Sequence, residues 1–441
     1  MKQNRLCSGL AIITLAAISF LSAATVRADE PKKTESLFKL NAEARVRYEY
    51  FNNTDFNDAV KDTRDFATTR VRPSLLFTPH EQISVLFQPQ FALGWGETLN
   101  TSLSSVNAAS LGSASGSLDE PSLGVHQAYL AYSPSDAFTM TVGRQELVYG
   151  DQLVIGSVDW NNTGRAFDAL KFKYSQDKYF VDLFYSILSD AESAASRNAC
   201  AAPCHAGDQH FAGLYGSIDA ATWLKNLDLY AFYRYDDTSD PQPHNYVTFG
   251  TRLKGNKNAL DYRVEATGQL GKTTVATGTE TDLQDYQVDA ELGYTFEDLK
   301  KLRFGLEGFV TSENYLQLFP TAHKWLGYID LFGRRNIMGG VAHLSIVPND
   351  KWKVAFDAHT LFRTTTDRGL FALNGLGEID PASASDSKLA GEELDLTVSY
   401  SPMKLIKFDL GLNTFAPMGF IKDDLGDSLP VFGYLQTSVK F

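Results

Sequence analysis

Between Phe38 and Tyr50 apolar and polar side chains alternate without exception. Phe38, Leu40, Ala42, Ala44, Val46, Tyr48 and Tyr50 share one parity, while Lys39, Asn41, Glu43, Arg45, Arg47 and Glu49 share the other. Successive side chains of an extended chain point to opposite faces, so the stretch predicts a strand with one apolar wall and one charged wall. The pattern returns in 82–95, where Ile83, Val85, Phe87, Phe91, Leu93 and Trp95 oppose Gln82, Ser84, Gln88 and Gln90. It returns again in 284–296, where Tyr286, Val288, Ala290 and Leu292 oppose Asp285, Gln287, Asp289 and Glu291. In 65–77 Pro73 falls on the apolar parity and weakens the strand, because proline brings no ladder donor.

Followed to its end, the pattern predicts strands at 38–50, 65–77, 82–95, 122–133, 137–149, 165–175, 178–188, 208–219, 226–236, 245–254, 259–270, 284–296, 302–312, 336–347, 351–364, 390–400, 404–416 and 431–441. Connections after even strands are short, for example 134–136, 176–177, 255–258, 348–350 and 401–403. Those after odd strands are long and polar: 51–64, 96–121, 150–164, 189–207, 237–244, 271–283, 313–335, 365–389 and 417–430. An even strand number with alternating short and long connections is the signature of an outer-membrane barrel, and a soluble sandwich has no reason to keep it. The reading is therefore all-β: a single 18-stranded antiparallel transmembrane β-barrel over 38–441, with short periplasmic turns, long extracellular loops and both termini periplasmic. Tyr50, Trp95, Tyr235 and Phe362 then fall at the outer rim and Trp352, Phe296, Tyr400 and Phe441 at the inner one, as two aromatic girdles.

The N-terminus adds an export signal. Lys2 and Arg5 precede an uncharged apolar run from Leu10 to Val26, and Val26-Arg27-Ala28 fits a small-x-small cleavage site. Residues 1–28 read as a signal peptide and 29–37 as a short periplasmic segment. Removing 1–28, which hold Lys2, Arg5 and Arg27 but no acid, takes the formal charge from −13 to −16 and argues against a nucleic-acid partner. No run approaches the roughly 18 apolar residues of a transmembrane helix, so a membrane form requires a closed barrel. Cys200 and Cys204, in a polar loop of an exported chain, predict a small disulfide.

On the inward parity, Arg45, Arg47, Arg70 and Arg72 fall on adjacent strands with Lys440 on the closing strand beside them. Guanidinium forks suit carboxylates, although Glu43 and Glu49 share the wall and could neutralise them. Arg252, Arg363 and Asp357 also fall inward, and Asp261, Glu265, Asp285, Asp289, Glu291 and Glu307 form an acidic sector. Strict alternation through Phe138, Met140 and Val142 would put Arg144 in lipid, so a bulge at Gly143 is expected to return it to the lumen; otherwise Arg144 lies above the membrane and pairs with an acid. Inward acids nearly equal inward bases.

Two stretches depart from alternation. One runs Gly143-Arg144-Gln145-Glu146-Leu147-Val148-Tyr149-Gly150-Asp151 and on to Val158-Asp159-Trp160-Asn161-Asn162-Thr163-Gly164-Arg165-Ala166-Phe167-Asp168. The other runs Leu318-Phe319-Pro320-Thr321-Ala322-His323-Lys324-Trp325-Leu326-Gly327-Tyr328, then Asp330-Leu331-Phe332-Gly333-Arg334-Arg335-Asn336. With Arg70-Val71-Arg72-Pro73 and Gly391-Glu392-Glu393-Leu394-Asp395, they resemble the alginate-export family of outer-membrane channels. The resemblance implies an eighteen-stranded barrel passing an anionic polysaccharide through a charged lumen, with Arg45, Arg47, Arg70, Arg72, Arg144, Arg165, Asp168, Arg252, Arg363, Asp357 and Lys440 along the path. Pro320, His323, Lys324, Asp330, Arg334 and Asn336 belong to an outer loop expected to lie over the pore, held by its own hydrogen bonds. Loop 96–121 is the candidate plug. Asp423, Asp424 and Asp427 read as a solvated acidic loop rather than a calcium site.

A general or nutrient-uptake porin on the same frame is the alternative. An outer-membrane barrel enzyme is the weaker reading, since the chain has no Gly-x-Ser-x-Gly, and His343 and His359 fall among ordinary inward strand positions. Expected partners are outer-membrane lipid and lipopolysaccharide, the anionic polysaccharide, the outer-membrane insertion machinery and a separate periplasmic secretion partner. No cofactor or resident metal is expected.

Overall fold

In the computed structural model the described residues are 37–59, 61–95, 122–189, 208–237, 244–274, 280–373, 375, 377–380 and 384–441. The predicted leader, the plug candidate 96–121 and the Cys200–Cys204 pair lie outside them.

The eighteen strands close into one antiparallel sheet. They are β1 (Phe38–Asn52), β2 (Arg64–His80), β3 (Ile83–Gly94), β4 (Ser122–Ser135), β5 (Phe138–Gln145), β6 (Phe167–Gln176), β7 (Tyr179–Ser189), β8 (Gln209–Ile218), β9 (Leu224–Asp236), β10 (His244–Lys257), β11 (Leu260–Thr274), β12 (Glu280–Phe296), β13 (Leu302–Thr311), β14 (Ile337–Asn349), β15 (Trp352–Arg363), β18 (Leu389–Met403), β19 (Ile406–Pro417) and β20 (Val431–Lys440). A two-residue hairpin, β16 (Leu370–Phe371) with β17 (Glu378–Ile379), and the helix α1 (Gly419–Asp424) sit in the loops. Each strand pairs with its sequence neighbour around the barrel, and β1 meets β20 from Glu43↔Lys440 to Asn52↔Val431, so no ladder edge is left open to lipid.

Alternation places the side chains as the sequence suggests. Outward-facing Leu229, Leu292, Leu306, Leu412 and Leu435 are each more than half exposed, while the inward Arg45, Arg47 and Glu49 are buried. Aromatic pairs ring the short-turn end: Phe38 stacks on Phe77 at 4.8 Å, Trp352 on Tyr400 at 4.4 Å, and Phe138 on Phe172 at 6.2 Å. Pro73 is accommodated within β2. Its pairing with β1 is unbroken, and the ladder to β3 simply skips from Val71↔Phe91 to Leu75↔Phe87.

The interior differs from a water-filled tube. Toward the long loops, the inward faces of β6 to β9 carry Phe167, Phe184, Phe211, Tyr215, Tyr230 and Phe232, all buried in one apolar cluster. Loop residues Leu153, Val154, Ile155, Leu318, Phe319, Trp325 and Phe332 complete that cluster. Loops 146–166 and 313–335 are therefore not the polar outer loops that composition suggested. Their apolar residues are buried against aromatic wall positions, and desolvation of those surfaces holds them inside.

Candidate functional site

The two infolded loops join into a plate across the lumen. Ile155 bridges Phe319 in parallel, and Gly156 N donates to Phe319 O at 2.8 Å, Phe319 N to Val154 O at 2.9 Å and Thr321 N to Gln152 O at 3.0 Å. Arg165 is buried in this seam and donates to the carbonyls of Phe319, Pro320 (3.1 Å) and Gly156 (3.2 Å). Both strips thus have their backbone polar groups satisfied inside the barrel, as burial demands.

On the β1–β2 wall the arginine ladder clamps the plate. Arg45 donates to the carbonyls of Asp159 and Asn161, both at 2.8 Å, and Arg70 reaches the same two carbonyls at 2.9 Å. Arg72 donates to Asp159 Oδ1 at 2.6 Å and to Gln90 Oε1 at 2.6 Å. Arg47 bonds the Trp160 carbonyl at 2.6 Å and lies 3.9 Å over the indole, whose other face stacks on His323 at 3.8 Å. Burial would raise the Asp159 carboxyl, but Arg70, Arg72 and Arg45 outweigh it and hold the group at about 2. Glu43 and Glu49 engage Arg70 and Arg47 as foreseen, yet most of the guanidinium donors go to loop backbone.

The opposite wall holds the plate by charge. Asp151 takes Lys254 at 2.6 Å and Arg252 at 3.0 Å, and Arg252 also pairs with Asp228 at 2.6 Å. For Asp151, burial raises the carboxyl but Lys254 and Arg252 bring it below its ordinary value. Lys324 donates to the Asp151 carbonyl at 3.1 Å. Arg334 enters the acidic sector to meet Asp289 at 2.5 Å, which Arg263 also holds at 2.7 Å, and Arg263 lies 4.6 Å over the Trp325 ring. On β18, Glu393 Oε1 accepts the Ile329 N–H at 2.9 Å, while His323 Nδ1 donates to Asp330 Oδ2 at 2.7 Å. Within the loop, Arg334 N also donates to Gln317 Oε1 at 2.9 Å and Trp325 N to Ala322 O at 3.0 Å, while Gly333 N reaches the Phe371 carbonyl of the next long loop at 2.8 Å.

The other foreseen residues separate into three groups. Asp357 faces inward and accepts from His343 at 2.7 Å, and His359 pairs with Asp395 at 3.2 Å. Arg363 and Asn336 tie loops together: Arg363 donates to the Ser385 and Ser387 carbonyls (2.9 Å to the latter), and Asn336 to Arg368 and Gly369 carbonyls at 3.1 Å. Lys440 faces the open lumen, with Glu43 at 3.4 Å.

Arg144 and Asp168 are a correction. They pair with each other at 2.5 Å on the outward parity, because Thr141 and Gln145 occupy the inward positions and the register through Val142, Gly143 and Arg144 has no shift. The bulge lies instead in β4, where the register with β3 slips between Gln88 and Pro89 and His126 turns inward to Glu146 at 2.9 Å. Both charges stand where β5 and β6 leave the barrel for their loop, so a rim ion pair replaces the expected lumen pair.

Below the plate, toward the short turns, the lumen wall is polar and partly open. A cavity of about 410 Å³ is lined by Glu43, Arg72, Gln88 and Lys440. The exposed cations of this vestibule are lysines: Lys440, Lys407 and Lys254 side chains are 68%, 52% and 46% exposed, against 2%, 1% and 5% for Arg47, Arg70 and Arg72. Sequence reading did not single out the inward Lys254 and Lys407, nor Trp160 and Trp325. The available signal was aromatic and aliphatic content inside segments assigned to outer loops.

A closed eighteen-stranded barrel with an apolar exterior and a charged, loop-restricted interior defines an outer-membrane channel. The model of the alginate export family matches residues 37–432, and the chain belongs to that family, whose role is the passage of alginate. Solved structures share the fold. Pseudomonas aeruginosa OccK8 (OprE) has a TM-score of 0.58 at 12% identity, covering 92% of this chain and 98% of its own. OccD3 (OpdP) of the same organism gives 0.57 at 12% identity over 92% and 91%, and OccK11 (OpdR) gives 0.56 at 12% over 91% and 96%. Among curated proteins, none matches the chain.

Proposed function

We propose that this chain passes a polyuronate-type polysaccharide or oligosaccharide along the lysine-bearing vestibule, with long loops outside the cell and both termini in the periplasm. The observation that supports the reading is the division of labour among cations: Arg45, Arg47, Arg70 and Arg72 are consumed by the plate, and Lys440 and Lys407 are left facing solvent. Lys440 and Lys407 each keep a carboxylate within reach, Glu43 at 3.4 Å and Asp409 at 2.7 Å. Such part-neutralised sites attract an anion without trapping it, and transport needs many weak sites rather than one strong one. The plate is the gate in this reading. Its latches must yield for a chain to pass, while strands hold the barrel.

Flux into proteoliposomes tests the reading with a fluorescent oligouronate and a neutral oligosaccharide of equal length. Uronate is expected to enter at least about tenfold faster at low salt, an advantage that shrinks as ionic strength rises and the Debye length falls toward about 8 Å. Equal entry of both would overturn the reading in favour of a general porin.

A further inference from the structure

Beneath the start of the plate, the wall of β4 to β7 encloses a second cavity of about 280 Å³ that the clamp does not use. Lys171 and Lys173 project into it from β6, two residues apart on the inward face. Phe180 and Asp182 face them from β7, Gln127 from β4, and Glu146, Val148 and Tyr149 from the loop; Glu146 is itself engaged by His126 at 2.9 Å. The register sets Lys173 opposite Asp182, yet Lys173 Nζ lies over the Phe180 ring at 4.4 Å. Among the described residues neither ammonium reaches a carboxylate at ion-pair distance.

Asp182, which lines the cavity, is 4% exposed; its Oδ2 accepts the Tyr149 hydroxyl at 3.2 Å, and its Oδ1 is buried without a partner. A buried carboxylate oxygen without a donor is an incomplete arrangement that a ligand hydroxyl would complete. Two unpaired ammonium groups beside it call for an anion. Together they require one molecule carrying a carboxylate and a hydroxyl donor, while the Phe180 and Tyr149 rings offer apolar faces to its C–H side. The volume is close to the lower bound of about 300 Å³ for small-molecule sites, room for one sugar ring. Val148, also on the lining, is 42% exposed.

We propose that this cavity is a subsite for a single uronic acid unit, with its carboxylate on Lys171 and Lys173 and a ring hydroxyl donating to Asp182 Oδ1. The proposal rests on the polyuronate reading above and adds a place where the chain is held beside the plate. Inorganic phosphate fits it poorly: its oxygens are chiefly acceptors at neutral pH, so they leave Asp182 unsatisfied and add charge against it.

Binding to the detergent-solubilised full-length barrel is measured by calorimetry with a short mannuronate oligomer, its carboxyl-reduced neutral counterpart, and inorganic phosphate. The oligomer is expected to bind at least about tenfold more tightly than either comparator, as the loss of one charge-assisted contact implies. K171Q/K173Q should abolish that preference, K173R should retain it, and D182N should narrow the gap between oligomer and phosphate. Heat-modifiable migration on gels checks that each variant is folded. Unchanged oligomer affinity in K171Q/K173Q, or phosphate binding as tightly as the oligomer, would overturn the subsite. Wild-type flux separates the two ideas: selective uronate entry with no effect of K171Q/K173Q on binding removes the subsite alone, whereas unselective entry removes the polyuronate reading itself.

Discussion

A single indole shows how the plate is fixed. Trp160 is held between the Arg47 guanidinium and the His323 ring, so one side chain links the β1 wall to both infolded loops. A desolvated cation–π contact contributes about 2 kcal/mol. Trp160→Ala should therefore shift the closed-to-open balance by about thirtyfold toward opening, read as open probability in planar bilayers. No change in open probability would show that the sandwich does not bear on the gate. Asp159 gives a pH test at the same scale. Its folded value is depressed to about 2 by the arginines, against about 3.9 unlatched, so its contribution is full above about pH 4 and lost as pH falls to about 2. Open probability should stay flat from neutral pH down to about 4 and rise below it; opening on alkalinisation alone contradicts this assignment. These roles were only half legible. Arg45, Arg47, Arg70 and Arg72 could be placed inward by parity, but parity gives a direction and not a partner, and the loop partners lie 87 to 116 residues away.

At the scale of elements, strands were readable because their period is enforced by two solvents, lipid and water, acting on opposite faces. The loops followed a different rule. Apolar residues such as Leu153, Ile155, Phe319 and Trp325 have no period, and their burial depends on inward aromatics of β6 to β9 that no local window reveals. Arg144 was misplaced for a related reason: a bulge was expected at its own glycine, and the slip that exists is one strand away at His126. Gly143 does have φ near +121°, and a Cβ there would stand 2.3 Å from the Ala128 carbonyl oxygen, so the strain is local to that crossing. Two substitutions test the elements. Gly327, at φ +97°, packs against Glu393, and an added Cβ would lie 2.2 Å from its carboxyl carbon. Gly327→Ala should displace Glu393 from the Ile329 N–H and raise conductance with the barrel still folded; conductance equal to wild type would contradict that latch. On the outer surface, Leu306→Arg puts a charge into lipid at mid-strand and should lower barrel stability by about 2–4 kcal/mol, read as the urea midpoint of refolding into vesicles. An unchanged midpoint would mean that face does not meet acyl chains.

For the whole molecule, the architecture was the most legible level. Eighteen alternating segments and nine long connections leave few other closed structures, since lipid forbids an unpaired edge. What alternation could not reveal is that the tube is divided: aromatic side chains buried against the loops toward one end, and a cavity lined by Glu43, Arg72, Gln88 and Lys440 toward the short turns. In the proposed reading, the arginines of the β1–β2 wall serve closure, and Lys407 and Lys440 serve the solute. The direct measurement is the reversal potential and conductance of two variants side by side in planar bilayers under a salt gradient, R45A/R70A/R72A against K407Q/K440Q. The arginine variant is predicted to conduct more while keeping anion preference, and the lysine variant to lose that preference with the gate intact. Loss of anion preference in the arginine variant, with the lysine variant unchanged, would contradict the account.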